Sequence, residues 1–317
     1  MTLRRGMSGD IVEKLQTRLM ELRALVGRAD GDFGGGTESA VKTFQRSAGL
    51  TPSGAVDPAT WGKLFPGEPV PENPLASAPA LTRCMALTGS FETGKLPPDC
   101  FCGVTGDFDG QGVSFGVLQW NIGQGSLQPL LGEAFERHPA VCQNIFHEHF
   151  DTLRALGEAP LDQQLDFTRT IQTRNVVDEP WRGMLKTLGR TPEFQQIQTE
   201  HATKVFETAR GLCSEYKLRS QRAAALMFDI VTQNGSIGPV VKAQIMADYA
   251  TIPAGNADDV EVARMRAVAI RRASAARPEF VNDVRTRKLA IAEGTGTVHG
   301  IFYDLADSFA ITLQPFQ

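Results

Sequence analysis

The sequence predicts a mainly α protein in two parts: a three-helix module, then a larger helical body with one small β-hairpin. Three observations carry this. Apolar residues recur at helical spacing through residues 12–44 and again after residue 126. A proline run at 66–79 divides the chain. Glycines at 103, 106, 110, 112 and 116 interrupt the helical pattern, and there Val113, Phe115 and Val117 alternate with polar or small residues, as in a short half-buried strand.

In the module, Val12, Leu15, Leu19 and Leu22 make the first apolar stripe, with Ser8 placed to cap it. The turn Asp30-Gly31-Asp32-Phe33-Gly34-Gly35-Gly36 follows. Thr37 then caps a second helix bearing Ala40, Val41 and Phe44, which Gly49 closes. A third helix starts after Asp57-Pro58, with proline at the favoured first position, and ends at Trp61, Leu64 and Phe65. Pro66, Pro69, Pro71, Pro74 and Pro79 remove backbone donors, so 66–80 reads as a semi-extended connection. The expected division is therefore a module at 1–65, a linker at 66–80 and a body at 81–317. In the body, Ala223, Leu226, Met227, Ile230 and Val231 form a helical stripe, with further helices over 260–275 and 284–292. No internal repeat stands out.

At 317 residues, 42% hydrophobic and 21% charged, the chain has the composition of an ordinary soluble two-domain protein. A net charge of −4 leaves no polybasic footprint for nucleic acid. No apolar run approaches the ~18 residues of a membrane span. The opening Met1-Thr2-Leu3-Arg4-Arg5-Gly6 has no apolar segment behind its arginines, which implies synthesis in a cytoplasm without a secretory signal. The odd count of five cysteines, at 84, 100, 102, 142 and 213, fits reduced thiols rather than a disulfide framework. Cys100-Phe101-Cys102 lacks zinc-knuckle spacing, and His147-Glu148-His149 sets its imidazoles on different helix faces. Gly123-x-Gly125 has no nucleotide-binding context. Neither a metal nor a cofactor is expected.

Four segments carry a resemblance. Gly9-x-x-Val12-x-x-Leu15-Gln16-x-x-Leu19, Asp30-Gly31-Asp32-Phe33-Gly34, Thr37-x-x-Ala40-Val41-x-x-Phe44-Gln45 and Gly54-x-Val56-Asp57-x-x-Thr60-Trp61 resemble the three-helix peptidoglycan-binding domain over nearly all of residues 3–65. The resemblance implies bacterial peptidoglycan as partner. Gln16, Asp30, Asp32 and Gln45 are the polar candidates for wall contact, although the two glutamines fit buried amides bonding backbone equally well. With an acidic chain, wall affinity has to come from short-range contacts.

Cutting a glycosidic bond needs a protonated carboxyl near the leaving oxygen and a second group that attacks or holds a water. Burial against apolar groups keeps such an acid protonated. Residues 81–120 have this form. Leu81, Met85 and Leu87 lead to Ser90-Phe91-Glu92-Thr93-Gly94, an acid at a helix end. Further on, Gly106-Asp107-Phe108-Asp109-Gly110-Gln111-Gly112-Val113-Ser114 carries two carboxylates and a hydroxyl on a glycine-rich hairpin. Either aspartate alone reads as a turn former; the company of Glu92 favours chemistry.

These segments resemble the family-46 chitosanase branch of the lysozyme superfamily. Ser90-Phe91-Glu92 is similar to the segment supplying that family's acid. Asp109-Gly110-Gln111-Gly112-Val113-Ser114-Phe115-Gly116 is similar to the hairpin supplying its second carboxylate and water-holding threonine. Gly123-x-Gly125-x-Leu127 and Phe228-Asp229-Ile230-Val231-x-Gln233-Asn234-Gly235 extend the match. The resemblance implies a lysozyme-like α+β body with Glu92 as general acid, Asp109 as base with Asp107 its competitor, and Ser114 positioning the water. Gln119, Trp120 and Asn121 would line the substrate site. Asn234 would join them, with a core or capping role equally open. Gln111 replaces the family arginine, and Ser126 an acidic residue that would recognise a glucosamine amine, which favours N-acetylated sugars over chitosan.

The leading expectation is a peptidoglycan hydrolase, a muramidase acting by inversion. Such an enzyme, as a monomer, would reach the periplasm or wall through a phage holin or an injection system. A lytic transglycosylase using Glu92 alone and a non-catalytic wall-binding or phage structural protein are the alternatives. The enzymatic reading requires Glu92 to be shielded from bulk water beside a groove; otherwise wall adhesion alone remains.

Overall fold

The computed structural model describes residues 1–96 and 99–316. Helices α1 (Asp10–Glu21), α2 (Gly35–Ser47) and α3 (Pro58–Leu64) come first, then α4 (Ala80–Thr93). A three-stranded antiparallel sheet follows, with β1 (Val104–Thr105), β2 (Ser114–Phe115) and β3 (Trp120–Asn121) side by side in chain order. Next are α5 (Leu127–Arg137), α6 (Pro139–Phe146), α7 (Phe150–Gly157) and α8 (Leu161–Thr170), and the hairpin of β4 (Gln172–Thr173) and β5 (Val176–Val177). The remainder is α9 (Trp181–Arg190), α10 (Pro192–Glu215), α11 (Gln221–Asn234), α12 (Pro239–Tyr249), α13 (Ala257–Ser274), α14 (Val281–Glu293), the hairpin of β6 (Thr295–Val298) and β7 (Ile301–Asp304), and α15 (Leu305–Phe309). The fold is mainly α, as the sequence predicts, with a three-stranded sheet and two further hairpins in place of the one hairpin expected. Among the described residues no helix is long and apolar enough to cross a membrane.

The chain groups into two compact units. The first takes in residues 1–87, 94–96 and 205 onward, so the N-terminal module groups with the C-terminal helices. In the module, Val12, Leu15 and Leu19 of α1 are fully buried, and Asp57 caps α3 by accepting from the Thr60 N–H at 2.8 Å. Two glutamines clamp its loops. Gln16 Nε2 donates to Asp30 Oδ1, the Asp32 carbonyl and Thr37 Oγ1, while its Oε1 accepts from Gly31 N–H. Gln45 repeats the device, donating to Ser53 Oγ, the Ala55 carbonyl and Thr60 Oγ1 and accepting from Gly54 N–H. Gly31 and Gly54 both have φ in the left-handed region, +73° and +81°. The module therefore contains an internal repeat that is hidden in the sequence, because the two loops differ in length and only the glutamine, glycine and hydroxyl recur.

The proline-rich stretch makes no helix, and its Leu75 is buried. Asn73 Nδ2 donates to the Asp307 carbonyl, and the Met1 amino group donates to the Pro71 carbonyl. Arg4 pairs with the Asp307 carboxylate at 2.7 Å, and that carboxylate also accepts from Thr2 N–H.

At the heart of this unit every residue of α11 from Ala223 to Ile230 is buried; small alanines let neighbouring helices approach on all sides. One carboxylate, Asp229, lies among them. Arg287 of α14 grips it through Nε and Nη2 at 2.9 and 2.6 Å, and Lys288 closes on its other oxygen. Burial works against the Asp229 carboxylate, but the two cations prevail and hold it down to about 2. Burial takes Lys288 down to about 8, against the pull of Asp229.

The second unit takes in residues 88–93 and the described residues up to 204. Its core joins Val113 and Phe115 of the sheet to Leu127, Leu130 and Phe135 of α5, Phe146, Phe150, Leu185 and Leu188. Phe115 stacks on Phe194 at 5.2 Å, and Phe135 meets Phe146 and Phe150 edge-on. All five cysteines are free and buried. Burial pushes the thiols of Cys84, Cys100 and Cys102 up, those of Cys142 and Cys213 to about 11 and about 12.

Candidate active site

α4 is buried from Cys84 to Phe91, its hydroxyls at Thr88 and Ser90 included, and Glu92 is its first exposed residue past that stretch, just before Gly94 at φ +65° ends the helix. The last turn of α4 packs directly on the sheet. A Cβ added to Gly89 would lie 2.3 Å from Val117 Cγ2, and one added to Gly103 would lie 2.5 Å from Thr93 Cγ2. Only glycine lets helix and sheet approach so closely. Gln198 of α10, fully buried, fixes the same region: its Oε1 accepts from Val117 N–H and its Nε2 donates to the Phe101 carbonyl. It lies too far along the chain for sequence reasoning to have linked it to the hairpin.

The acidic loop joins β1 to β2. Its root is pinned by Asp107 N–H donating to Gln172 Oε1 at 2.8 Å, and by Gly106, where any Cβ would stand 2.1 Å from the Asn175 carbonyl oxygen. Its far end is pinned at Gly112, φ +75°, against Leu165 and Thr168 of α8. The two aspartates differ. Asp109 is exposed, and its Oδ1 accepts from Gln111 N–H, the bond of a turn former. Asp107 is half-buried, and its Oδ1 is buried without a hydrogen-bond partner among the described residues. Phe108 between them is 69% exposed.

Sheet register sorts the remaining candidates. Thr105, Ser114 and Asn121 pair in one row, and Val104, Phe115 and Trp120 in the other. The second row faces the core, and Trp120, half-buried, packs over Gly116. Ser114 is half-buried beside exposed Thr105. Gln119, at φ +53°, has its amide occupied: it donates to the Gly103 and Gly116 carbonyls and accepts from Thr105 Oγ1. Asn121 is buried, and its Oδ1 accepts from Gln124 N–H. Ser126 shares the 121–126 turn, bonding the Asn121 backbone. Asn234 ends α11 in the other unit.

Three expectations are corrected here. Glu92 is exposed, not buried, because the burial of α4 stops one residue short of it. Gln119 and Asn121 spend their side chains on turns that the sheet needs. Of the two roles open to Gln16 and Gln45, wall contact or buried amide, the structure shows the second: they are 2% and 1% exposed, with their amides consumed inside the module. Asp30 and Asp32 remain exposed; Asp32 lies 3.5 Å from Lys95, and backbone hydrogen bonding at Asp32 holds the Asp30 carboxyl low. No cluster of three or more metal-ligating side chains occurs among the described residues.

Residues 8–64 match the family model described as "Putative peptidoglycan binding domain". The N-terminal module thus has the sequence pattern of that domain family. Two curated relatives match over short stretches of the chain. An uncharacterized protein of Kitasatospora aureofaciens, from the bpoA1 3' region, is 48% identical over 58 residues, 18% of this chain and 49% of the relative. The zinc D-Ala-D-Ala carboxypeptidase of Streptomyces albus G is 38% identical over 66 residues, 20% of this chain and 26% of the relative. This chain thus spans half or less of the curated relatives it matches. Among solved structures, a Gynuella sunshinyii GH46 chitosanase complexed with chitotetraose aligns over 72% of this chain and 97% of its own, at 14% identity and a TM-score of 0.47. A likeness that loose assigns no fold.

Proposed function

We propose that the protein is a peptidoglycan glycan hydrolase of lysozyme-like type, with residues 1–65 gripping the wall, 66–80 joining them to the body, and 81–317 cutting. One observation carries the reading: a glutamate emerges at the end of an otherwise buried helix whose last turn packs on the sheet that holds an acidic, glycine-hinged loop. In the reaction Glu92 gives its proton to the departing sugar oxygen. A loop aspartate takes a proton from the water that attacks the anomeric carbon from the opposite face, giving inversion. In this reading Ser114 holds that water. An acid open to solvent in the free protein is shielded when a glycan strand lies over it.

Between the aspartates, burial favours Asp107 over Asp109. Asp109 already serves its own turn, whereas a buried carboxylate oxygen without a partner calls for a water or substrate hydroxyl. Exposed Phe108 supplies an aromatic face for a sugar ring.

Products released from purified peptidoglycan by wild type, Glu92→Gln, Asp107→Asn and Asp109→Asn test this. Glu92→Gln should lose nearly all release, and Asp107→Asn should lose more than Asp109→Asn. Products lighter by one water would make it a lytic transglycosylase. The solvent exposure of Glu92 favours a second reading, wall adhesion without catalysis. In that case wild type and Glu92→Gln release equally little while both still bind the wall.

A further inference from the structure

Beneath the acidic loop, within the second unit, lies a cavity of about 280 Å³. Its walls are largely apolar, with Leu131 and Phe135 of α5, Leu153 of α7, Phe167 of α8 and Trp181 of α9, and Gln128, Gln164 and Thr168 add polar groups. Protein interiors are normally packed without voids larger than a water molecule. This one is nearly twice the ~150 Å³ of an engineered apolar cavity that takes up benzene. By the ~30 Å³ liquid share of one water it has room for about nine groups of methylene size. Water finds few partners there: Gln128 Nε2 already donates to Gln164 Oε1 and Thr168 Oγ1 to the Leu165 carbonyl, which leaves Gln128 Oε1 as a buried acceptor without a partner among the described residues.

The mouth differs. Arg154 of α7 and Glu158, just beyond that helix, line it, with Glu136 across it on α5. All three are exposed, and Arg154 has no ion pair among the described residues. A guanidinium without a partner at the rim of an apolar hole fits an anionic head whose tail fills the hole. We propose that this cavity binds a single medium-length aliphatic carboxylate, its chain against Trp181 and its head group at Arg154. The site is separate from the glycan reading and does not depend on it. It does share a wall with the sheet: Val113, just before β2, and Ile122, just after β3, also line the cavity.

Tryptophan quenching on the full chain tests the proposal, with brominated decanoate as probe, kept below its micelle concentration. Wild type should show saturable quenching, and Trp181→Phe should lose it although Trp61 and Trp120 remain. Arg154→Ala should weaken decanoate binding about tenfold and leave decanol unchanged. Leu131→Phe, which fills the hole, should abolish the rise in Tm that decanoate gives wild type. No saturable quenching, quenching that survives Trp181→Phe, or equal binding of decanol and decanoate by wild type would overturn it. If Leu131→Phe fails to fold, the Trp181 and Arg154 variants decide alone.

Discussion

Replacing Asp229 with asparagine keeps the shape of the α11 core and deletes its one anion. In the native protein that carboxylate has no solvent exposure, and both cations facing it, Arg287 and Lys288, are buried with it. Breaking a buried ion pair from one side strands the other charge and costs roughly 3–5 kcal/mol. In a protein of this size each kcal/mol moves Tm by about 2–4 °C, so the variant should melt roughly 6–20 °C below wild type at pH 7. The pH profile gives a second measure. Asp229 sits at about 2 in the folded protein, against ~3.9 in an unfolded chain, a difference worth roughly 2–3 kcal/mol. Because the folded value is depressed, that stability is fully present above about pH 4 and drains away as pH falls towards 2. Wild type should lose it across that window, and Asp229→Asn should have a flatter acid limb. Lys288→Met should behave differently. The bidentate Arg287 contact survives and the cost of burying an ammonium disappears, so stability should change by about 1 kcal/mol or less. Thermal melts of the three proteins from pH 2 to 8 measure all of this. An Asp229→Asn protein that melts with wild type, or keeps its acid limb, would refute the account of this core.

Two further outcomes follow from the clamps and the loop. Gln45→Ala strands Gly54 N–H and three loop acceptors, and should cost the module about 2 kcal/mol and weaken wall pull-down through unfolding; binding recovered by lowering the temperature separates this from a lost wall contact. Gly106→Ala forces a methyl onto the Asn175 carbonyl and should cost ~1–3 kcal/mol by chemical denaturation, with loss of glycan release exceeding loss of fold, because the root of the acidic loop has to move.

Sequence reading goes furthest where one local pattern decides the outcome. Alternation at Val113, Phe115 and Val117 marks a buried strand edge, and all three are buried. The Pro58 start of α3 and the glycine after α4 fall as expected. Strands of two residues leave too short a pattern, so β3, β4 and β5 escape notice. The hairpin of β6 and β7 escapes too, although His299-Gly300, both at positive φ, is a turn signal in plain view. Side-chain roles are harder to read, because amides serve ligand and backbone alike. Nothing local distinguishes Gln16 on a surface from Gln16 folded over its own loop. Glu92 shows the limit from the other side: apolar neighbours in sequence did not bury it, since a helix end can leave the core within a single residue.

The five buried thiols bear on how such a protein could travel. Thiol exchange needs a thiolate within reach of solvent, and here burial both hides the sulfurs and keeps them protonated. Folded, the chain would pass between reducing and oxidising surroundings chemically unchanged. Threaded through a pore as an unfolded strand, it would emerge with five reactive sulfurs and many wrong ways to pair them.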